Sequence, residues 1–226
     1  MCFSASASFT ASAVLFVSGI VAIRKIKDPK NNFHFVPFAV IPFLFGLQQF
    51  SEGFIWLSYI HSYSVSIHQI STSFFLLFAQ VIWPVFVPFS IYLLEKDSKR
   101  NKILLSLSIF GLFLAVYLAY CLITFPFQAS IRGSHIYYSL GFKHHEFTFS
   151  GIFYFIPTVL PALISTTKYM VYFGLTILVS FIFSKVFYGE YVISVWCFFA
   201  AILSVIITFI IWKANETGLV KKIPVK

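Results

Sequence analysis

Charge is scarce in this chain. Only 10% of its 226 residues are Asp, Glu, Lys or Arg, against about 25% in a soluble domain, while 59% are hydrophobic. So little polar surface cannot cover a globule in water, and the chain reads as an integral membrane protein. Acid is scarcer still, with 7 Asp and Glu against 16 Lys and Arg, a net charge of +9. In a soluble protein that balance would suggest nucleic acid. Here the cations flank apolar runs, where they set orientation and meet lipid heads, so membrane lipids and no nucleic acid are the expected partners. The 10 glycines are scattered, with no phosphate-cradling loop, and no GxSxG nucleophile elbow occurs. No lysine lies between Glu190 and Trp212, which excludes a retinal Schiff base on the last apolar run. No Lys or Arg precedes the first run, Phe3 to Ile23, so a cleavable signal peptide is not expected, nor is Cys2 a lipoprotein cysteine at the end of one.

What is abundant is apolar length. A membrane helix needs about 20 mostly apolar residues. Seven candidate runs meet that need: 3–24, 35–60, 69–94, 102–125, 149–166, 169–187 and 190–212. Pro157 and Pro161 interrupt the fifth, and Tyr188-Gly189-Glu190 blurs the boundary between the last two. Of the 16 Lys and Arg, all but Arg132, Lys143 and Lys185 fall on one side of this arrangement. The positive-inside rule then places the N-terminus outside and the C-terminus in the cytoplasm, as an odd number of spans requires. The fold expected is all-α, a single transmembrane domain of seven helices over residues 1–226. The segment 126–148 is an external loop and a candidate lid, and 213–226 a basic cytoplasmic tail. No internal repeat or low-complexity segment is evident. Thirty-one Phe and twelve Tyr suit a lipid-facing surface and its aromatic belts.

The second run carries the strongest functional signal. A carboxyl at membrane depth costs about 2.5 kcal/mol or more on insertion scales, and Glu52 sits there with company. At 100° per residue, Gln48, Gln49, Glu52, Trp56 and Tyr59 share an arc of about 100°. Ala39, Gly46 and Gly53 repeat every seven residues on another side, where small residues let a neighbouring helix come close. Glu52 lies about 12 Å below the outer end of its helix at 1.5 Å per residue, near the depth of Cys197. Ser194, Cys197, Ala201 and Ser204 form a weakly polar stripe on the last run, and Gln69, Ser73 and Gln80 a stripe on the third, which ends at Trp83-Pro84. Pro84 and Pro88 are expected to bend that helix and widen a cavity. Two readings compete: a polar pocket with Glu52 as ligand, proton carrier or base, and interhelical glue in which the glutamines cap the carboxyl.

Metal chemistry finds little support. His61, His68, His135, His144 and His145 fall on the external side, with His34 the exception, but no HxxxH, HExxH or CxxC occurs. No metal site is expected, and His144-His145-Glu146 reads as a solvated loop. Cys2, Cys121 and Cys197 allow three disulfide pairings and select none. Cys2 as a nucleophile would need a nearby base, and none is visible. Glu95 reads as a charged helix end beside Lys96 and Lys99.

Four motifs carry a resemblance: Met1-Cys2-Phe3-Ser4-Ala5; Gln48-Gln49 with Glu52-Gly53 and Trp56; Trp83-Pro84 with Pro88; and Trp196-Cys197-Phe198-Phe199-Ala200-Ala201. Together they resemble an uncharacterised family of small bacterial multi-pass membrane proteins. The resemblance implies a bacterial integral membrane protein and no established activity; the expected location is the inner membrane. It carries Cys2, Gln48, Gln49, Glu52, Trp56, Trp83 and Cys197 as candidate pocket residues. In helix count the chain is also similar to seven-helix zinc hydrolases of the ceramidase and adiponectin-receptor type, but it lacks their paired histidines on the last helix, which weighs against zinc chemistry here.

The expected function is a small-ligand binding or transport protein with an outward-facing polar pocket. Glu52 would be central, Gln48 and Gln49 would orient the ligand, and Trp56 and Trp83 would form the walls. The rivals are a membrane-embedded enzyme acting on a lipid or isoprenoid, and an assembly factor whose polar face meets a partner. The residues point to no particular cofactor, and they leave open whether the protein is an enzyme.

Overall fold

The computed structural model describes residues 4–26, 32–60, 65–142 and 148–216. The helices are α1 (Ala5–Arg24), α2 (Val36–Ile60, entered through a 3-10 turn at Phe33–Phe35), α3 (Val65–Leu76), α4 (Trp83–Leu94), α5 (Ser98–Thr124), α6 (Thr148–Ile164), α7 (Met170–Tyr188), α8 (Val192–Phe198) and α9 (Ala200–Glu216). Among the described residues, five helical stretches are long and apolar enough to cross a membrane: Ala5–Arg24, Phe33–Ile60, Val65–Leu94, Ser98–Thr124 and Met170–Ala214. Phe153–Ile164 is a shorter apolar helix, and it runs unbroken through Pro157 and Pro161. The 45 residues of Met170–Ala214 do not form one rod. α7 packs against both α8 and α9, so the chain doubles back at the 3-10 turn Gly189–Tyr191.

Local chemistry sets the helix starts. Ser4 caps α1, its Oγ accepting from the Ala7 N–H at 3.2 Å, and Asp97 caps α5, its Oδ1 accepting from the Arg100 N–H at 2.9 Å. The small-residue stripe of α2 meets α1. A Cβ added at Gly46 would lie 2.7 Å from the Phe16 ring, and one at Gly53 would lie 2.7 Å from the Phe9 ring. Phe9 and Phe16 are themselves seven residues apart, so two matched repeats mesh. Ser12 Oγ donates to the Gly46 carbonyl at 2.8 Å along the same seam.

The third membrane-length stretch is not a uniform helix. Residues Leu77–Ile82 form a π turn between α3 and α4, in which the Trp83 N–H bonds to the Phe78 carbonyl. Pro84 follows and has no N–H, so in that same spacing the Ala79 carbonyl loses its backbone donor. Tyr154 of α6 supplies one instead, its hydroxyl donating to the Ala79 oxygen at 2.6 Å. The bend expected from Pro84 and Pro88 thus appears one turn earlier, as a wound-out segment stitched to α6.

The expected all-α fold needs one correction. Residues 127–140, within the expected external loop, form an antiparallel hairpin of β1 (Phe127–Arg132) and β2 (His135–Leu140). Gly133 at φ 60° opens its two-residue loop, which joins Arg132 to His135. That is the left-handed conformation a type II′ hairpin turn demands at its first position. Ala129, Ile136 and Tyr138 point inward and are buried, and they pack with Ile55, Trp56, Phe75, Leu76, Ala79 and Cys197. The Phe75 and Tyr138 rings stack at 4.6 Å, and the Tyr59 hydroxyl donates to the Ala129 carbonyl at 2.7 Å. The hairpin is therefore fastened to α2, α3 and α8. A second, larger core, including Phe38, Ile41, Trp83, Ile91 and Phe173, fills the rest of the bundle.

At the far ends of the helices, Glu95 is more than a charged helix terminus. Its side chain accepts from the backbone N–H of Lys96 (3.0 Å), Asp97 (2.9 Å) and Thr166 (2.7 Å), and from the Thr166 hydroxyl. It clasps the α4–α5 turn to the α6–α7 turn. Burial pushes its pKa up, but the Thr166 hydroxyl and these backbone donors outweigh burial and hold it below the ordinary carboxyl range. A lowered native pKa means the clasp contributes its full stability above the unfolded carboxyl pKa and loses it as pH falls through the native one. Thermal unfolding in detergent should therefore show wild type above Glu95→Gln at neutral pH, with the gap closing on acidification. A gap that stayed constant with pH would contradict the clasp.

Candidate functional site

Gln48, Glu52 and Trp56 lie one turn apart on α2, and all are buried, with 0%, 0% and 5% of their surface exposed. Gln49 is buried as well. The neighbours of Glu52 come from distant parts of the chain. Its Oε1 accepts from the Ser194 hydroxyl of α8 at 2.7 Å and from the Tyr138 hydroxyl of the hairpin at 3.4 Å. Gln48 bridges two other elements. Its Oε1 accepts from the Trp83 Nε1–H of α4 at 2.8 Å, and its Nε2 donates to the Cys197 Sγ of α8 at 3.1 Å. An indole N–H can only donate, so the amide oxygen must face Trp83 and the amide nitrogen the sulfur. Trp56 Nε1 is buried with no hydrogen-bond partner among the described residues.

Beyond this network lies a cavity of about 730 Å³ bounded by α2, α4, α5, α6, α7 and α8. Its walls are mostly aromatic and aliphatic, with Trp83, Tyr154, Phe173, Phe181 and Trp196 prominent. The aromatic panels are fixed by their own partners. Trp83 stacks on Phe45 at 3.8 Å, and Trp196 donates its Nε1–H to Ser180 Oγ at 3.0 Å while meeting the Phe181 ring at 5.1 Å. Polar groups on the wall are few: Gln80, Thr158 and Cys197, with Lys185 and Glu190 where the cavity meets the exposed surface. Thr158 spends its hydroxyl proton on the Tyr154 carbonyl of its own helix at 2.7 Å. Gln80, half-buried on the wall, makes no hydrogen bond among the described residues. Two helix irregularities converge here. Ala79 and Gln80 belong to the π turn, and Cys197 stands just before the interruption at Phe199 that separates α8 from α9. Such interruptions free backbone groups and recur at binding sites.

The residues named from sequence thus divide into two groups. Trp83 and Cys197 line the cavity, and Gln48 holds both from behind. Glu52, Gln49 and Trp56 are not among the lining residues, and Glu52 is tied to the hairpin and α8. Cys2 lies outside the described residues, as do His61, His144, His145 and Glu146. Among the described residues, no three His, Cys, Asp or Glu side chains come together as metal ligands, and Cys121 and Cys197 are free thiols. His68 pairs with Ser58 at 2.8 Å, and His135 stacks on Tyr191 at 4.7 Å. Ser204 and Ser18 hold α9 to α1 through the Ser204 carbonyl at 3.3 Å.

Sequence reasoning missed Tyr154, Trp196 and Lys185 as cavity residues. No pattern announces Tyr154, because its partner is a carbonyl freed by a proline on another helix. Gln80 was visible as the last member of a stripe with Gln69 and Ser73, spaced by four and then seven residues. The structure splits that stripe. Gln69 is exposed and Ser73 bonds back to its carbonyl at 2.7 Å, while the π turn re-aims Gln80 inward.

Apolar helices of membrane-crossing length, wrapped around a largely apolar cavity, place this chain among the helical membrane proteins. It belongs to a family of unknown function, DUF6629, whose model matches residues 1–221. No curated protein and no solved structure matches the chain.

Proposed function

We propose that this is a seven-pass protein of the bacterial inner membrane that binds an elongated apolar ligand, a lipid or isoprenoid chain, in its central cavity. The cavity carries this reading, because about 730 Å³ walled by fixed aromatic rings is space for a chain rather than for a small hydrophilic solute. The seven passes would be α1, α2, α3 with α4, α5, α6, α7, and α8 with α9. The N-terminus would lie outside, in keeping with the distribution of Lys and Arg. In this reading Gln48 is the positioning residue, since one carboxamide fixes both Trp83 and Cys197 on the wall. Glu52 anchors the hairpin, which covers the outer ends of α2, α3 and α8 as a lid. The few polar wall groups, Gln80 above all, would select among chains by a hydroxyl or carbonyl.

Ala79, on the wall, offers the direct test. Ala79→Phe keeps the backbone carbonyl that Tyr154 holds and fills part of the cavity. Protein purified in mild detergent and extracted with solvent should release a long-chain compound, identified by mass spectrometry, from wild type. The filled variant, at equal helical content, should release at least about tenfold less. Equal release from both would show that the compound sits elsewhere, and none from either would remove the reading.

A further inference from the structure

We propose that the ligand of this cavity carries an anionic, phosphate-bearing head, held at the mouth by Lys185. The inference rests on the chain-binding reading above and adds the head group to it. The cavity reaches the surface where Ile182, Lys185, Gly189 and Glu190 are exposed. Glu190 is already matched, since Arg132 at the hairpin turn approaches its Oε2 to 3.3 Å. The same guanidinium lies 3.7 Å from the centre of the Tyr137 ring, which holds it on the hairpin side. Lys185 makes no ion pair or hydrogen bond among the described residues. With Arg132 and Glu190 cancelling, one positive charge stands over an otherwise apolar hollow.

Geometry sets the shape of the occupant. Lys185 lies in the last turn of α7, and Phe173, twelve residues earlier on the same helix, lines the cavity too. At 1.5 Å per residue the cavity follows α7 for about 18 Å. An ammonium at one end and apolar wall for that length suit an amphiphile, with its head at the ammonium and its chain along the helix. A lysine stem can lie along apolar surface while its charge stays at the interface, and its ammonium pairs with phosphate as a point charge. The phosphodiester of an anionic phospholipid matches both ends; a free phosphate would match only one.

Tryptophan fluorescence can test both halves. Trp83 and Trp196 line the cavity, whereas Trp212 is 42% exposed on α9, so Trp212→Phe removes the tryptophan most open to bulk lipid. This protein would be placed in phosphatidylcholine vesicles containing a minor share of brominated-chain phosphatidylglycerol or, in parallel, brominated-chain phosphatidylcholine. The glycerol lipid should quench with about fivefold higher apparent affinity, the effect of one lysine at a membrane surface. Lys185→Gln should abolish that preference and leave quenching by the choline lipid unchanged, and Lys185→Arg should retain it. Added inorganic phosphate should leave the preference intact. Equal quenching by the two lipids, a preference that survives Lys185→Gln, or one that phosphate abolishes would overturn the anionic-lipid assignment alone. Quenching by neither lipid would overturn the chain-binding reading with it.

Discussion

Gly111→Ala should be the most damaging single methyl group in this protein. Gly111 lies on the buried face of α5, which also carries Leu104, Ser108, Ala115, Leu118 and Cys121. An added Cβ would fall 1.9 Å from the Pro84 carbonyl oxygen, 2.9 Å from its carbon and 3.2 Å from Pro157 Cβ. The first two contacts are with backbone, which cannot swing away as a side-chain tip can. The close approach has a cause in sequence: Pro88 has no N–H, so the Pro84 carbonyl has no donor one turn ahead, and the glycine lets α5 close over it. Relief requires α5 to move away from both α4 and α6. Overpacking of this kind costs about 3 kcal/mol or more. Because Pro84 directly follows Trp83, the cavity wall should loosen as well. Thermal unfolding in detergent, followed by circular dichroism, would measure the loss. Ser106→Ala is the matched control: Ser106 is exposed on the same helix, α5, so its effect should stay within about 0.5 kcal/mol. Similar midpoints for the two variants would mean that α4 and α5 are not packed as described.

Glu52→Ala should release the hairpin. The Ser194 and Tyr138 hydroxyls both donate to Glu52 Oε1, and alanine leaves both buried without that acceptor while hollowing out the space between α2 and α8. A buried hydroxyl that loses such an acceptor costs up to about 1–3 kcal/mol, and the void adds to this. Stability should therefore fall by about 2–4 kcal/mol. The local readout is trypsin at Arg132, which is exposed at the hairpin turn and protected only while the strands stay paired and docked. Cleavage there should be at least about tenfold faster in the alanine variant, because each 1.4 kcal/mol of docking energy changes the open population tenfold. Glu52→Gln keeps an amide oxygen facing Ser194 and should fall between the two. Wild-type resistance to trypsin in Glu52→Ala would mean that Phe75, Tyr59 and the other apolar contacts hold the hairpin unaided.

These effects divide along the line between what was readable in the chain and what was not. The α1–α2 seam was half visible: Ala39, Gly46 and Gly53 marked a close-packing side of α2, although nothing local said that Phe9 and Phe16 would fill it. The polar arc of α2 was visible for the same reason, since helical periodicity depends only on neighbours along one segment. Its partners Ser194, Tyr138, Trp83 and Cys197 are far away in sequence, and pairing across such distances is a property of packing. The hairpin did have a local signal in Arg132-Gly133-Ser134-His135, with Ala129, Ile131, Ile136 and Tyr138 alternating around it. A search for apolar length passes over it. The π turn and the interruption at Phe199 break the periodicity on which helix reading depends, and the cavity lies between those two breaks.

The order in which the chain is made gives the Glu52 network a further meaning. Ser194 is 142 residues downstream of Glu52, and Cys197 is 149 downstream of Gln48. At about 5–20 residues per second, α2 exists for roughly ten seconds or more before either partner has been synthesised. Trp83 and Tyr138 emerge earlier, 35 residues after Gln48 and 86 residues after Glu52, so the network closes in stages. The last helices to emerge complete the second, since a chain that stops before α8 lacks the Ser194 donor to Glu52 and the Cys197 acceptor of Gln48.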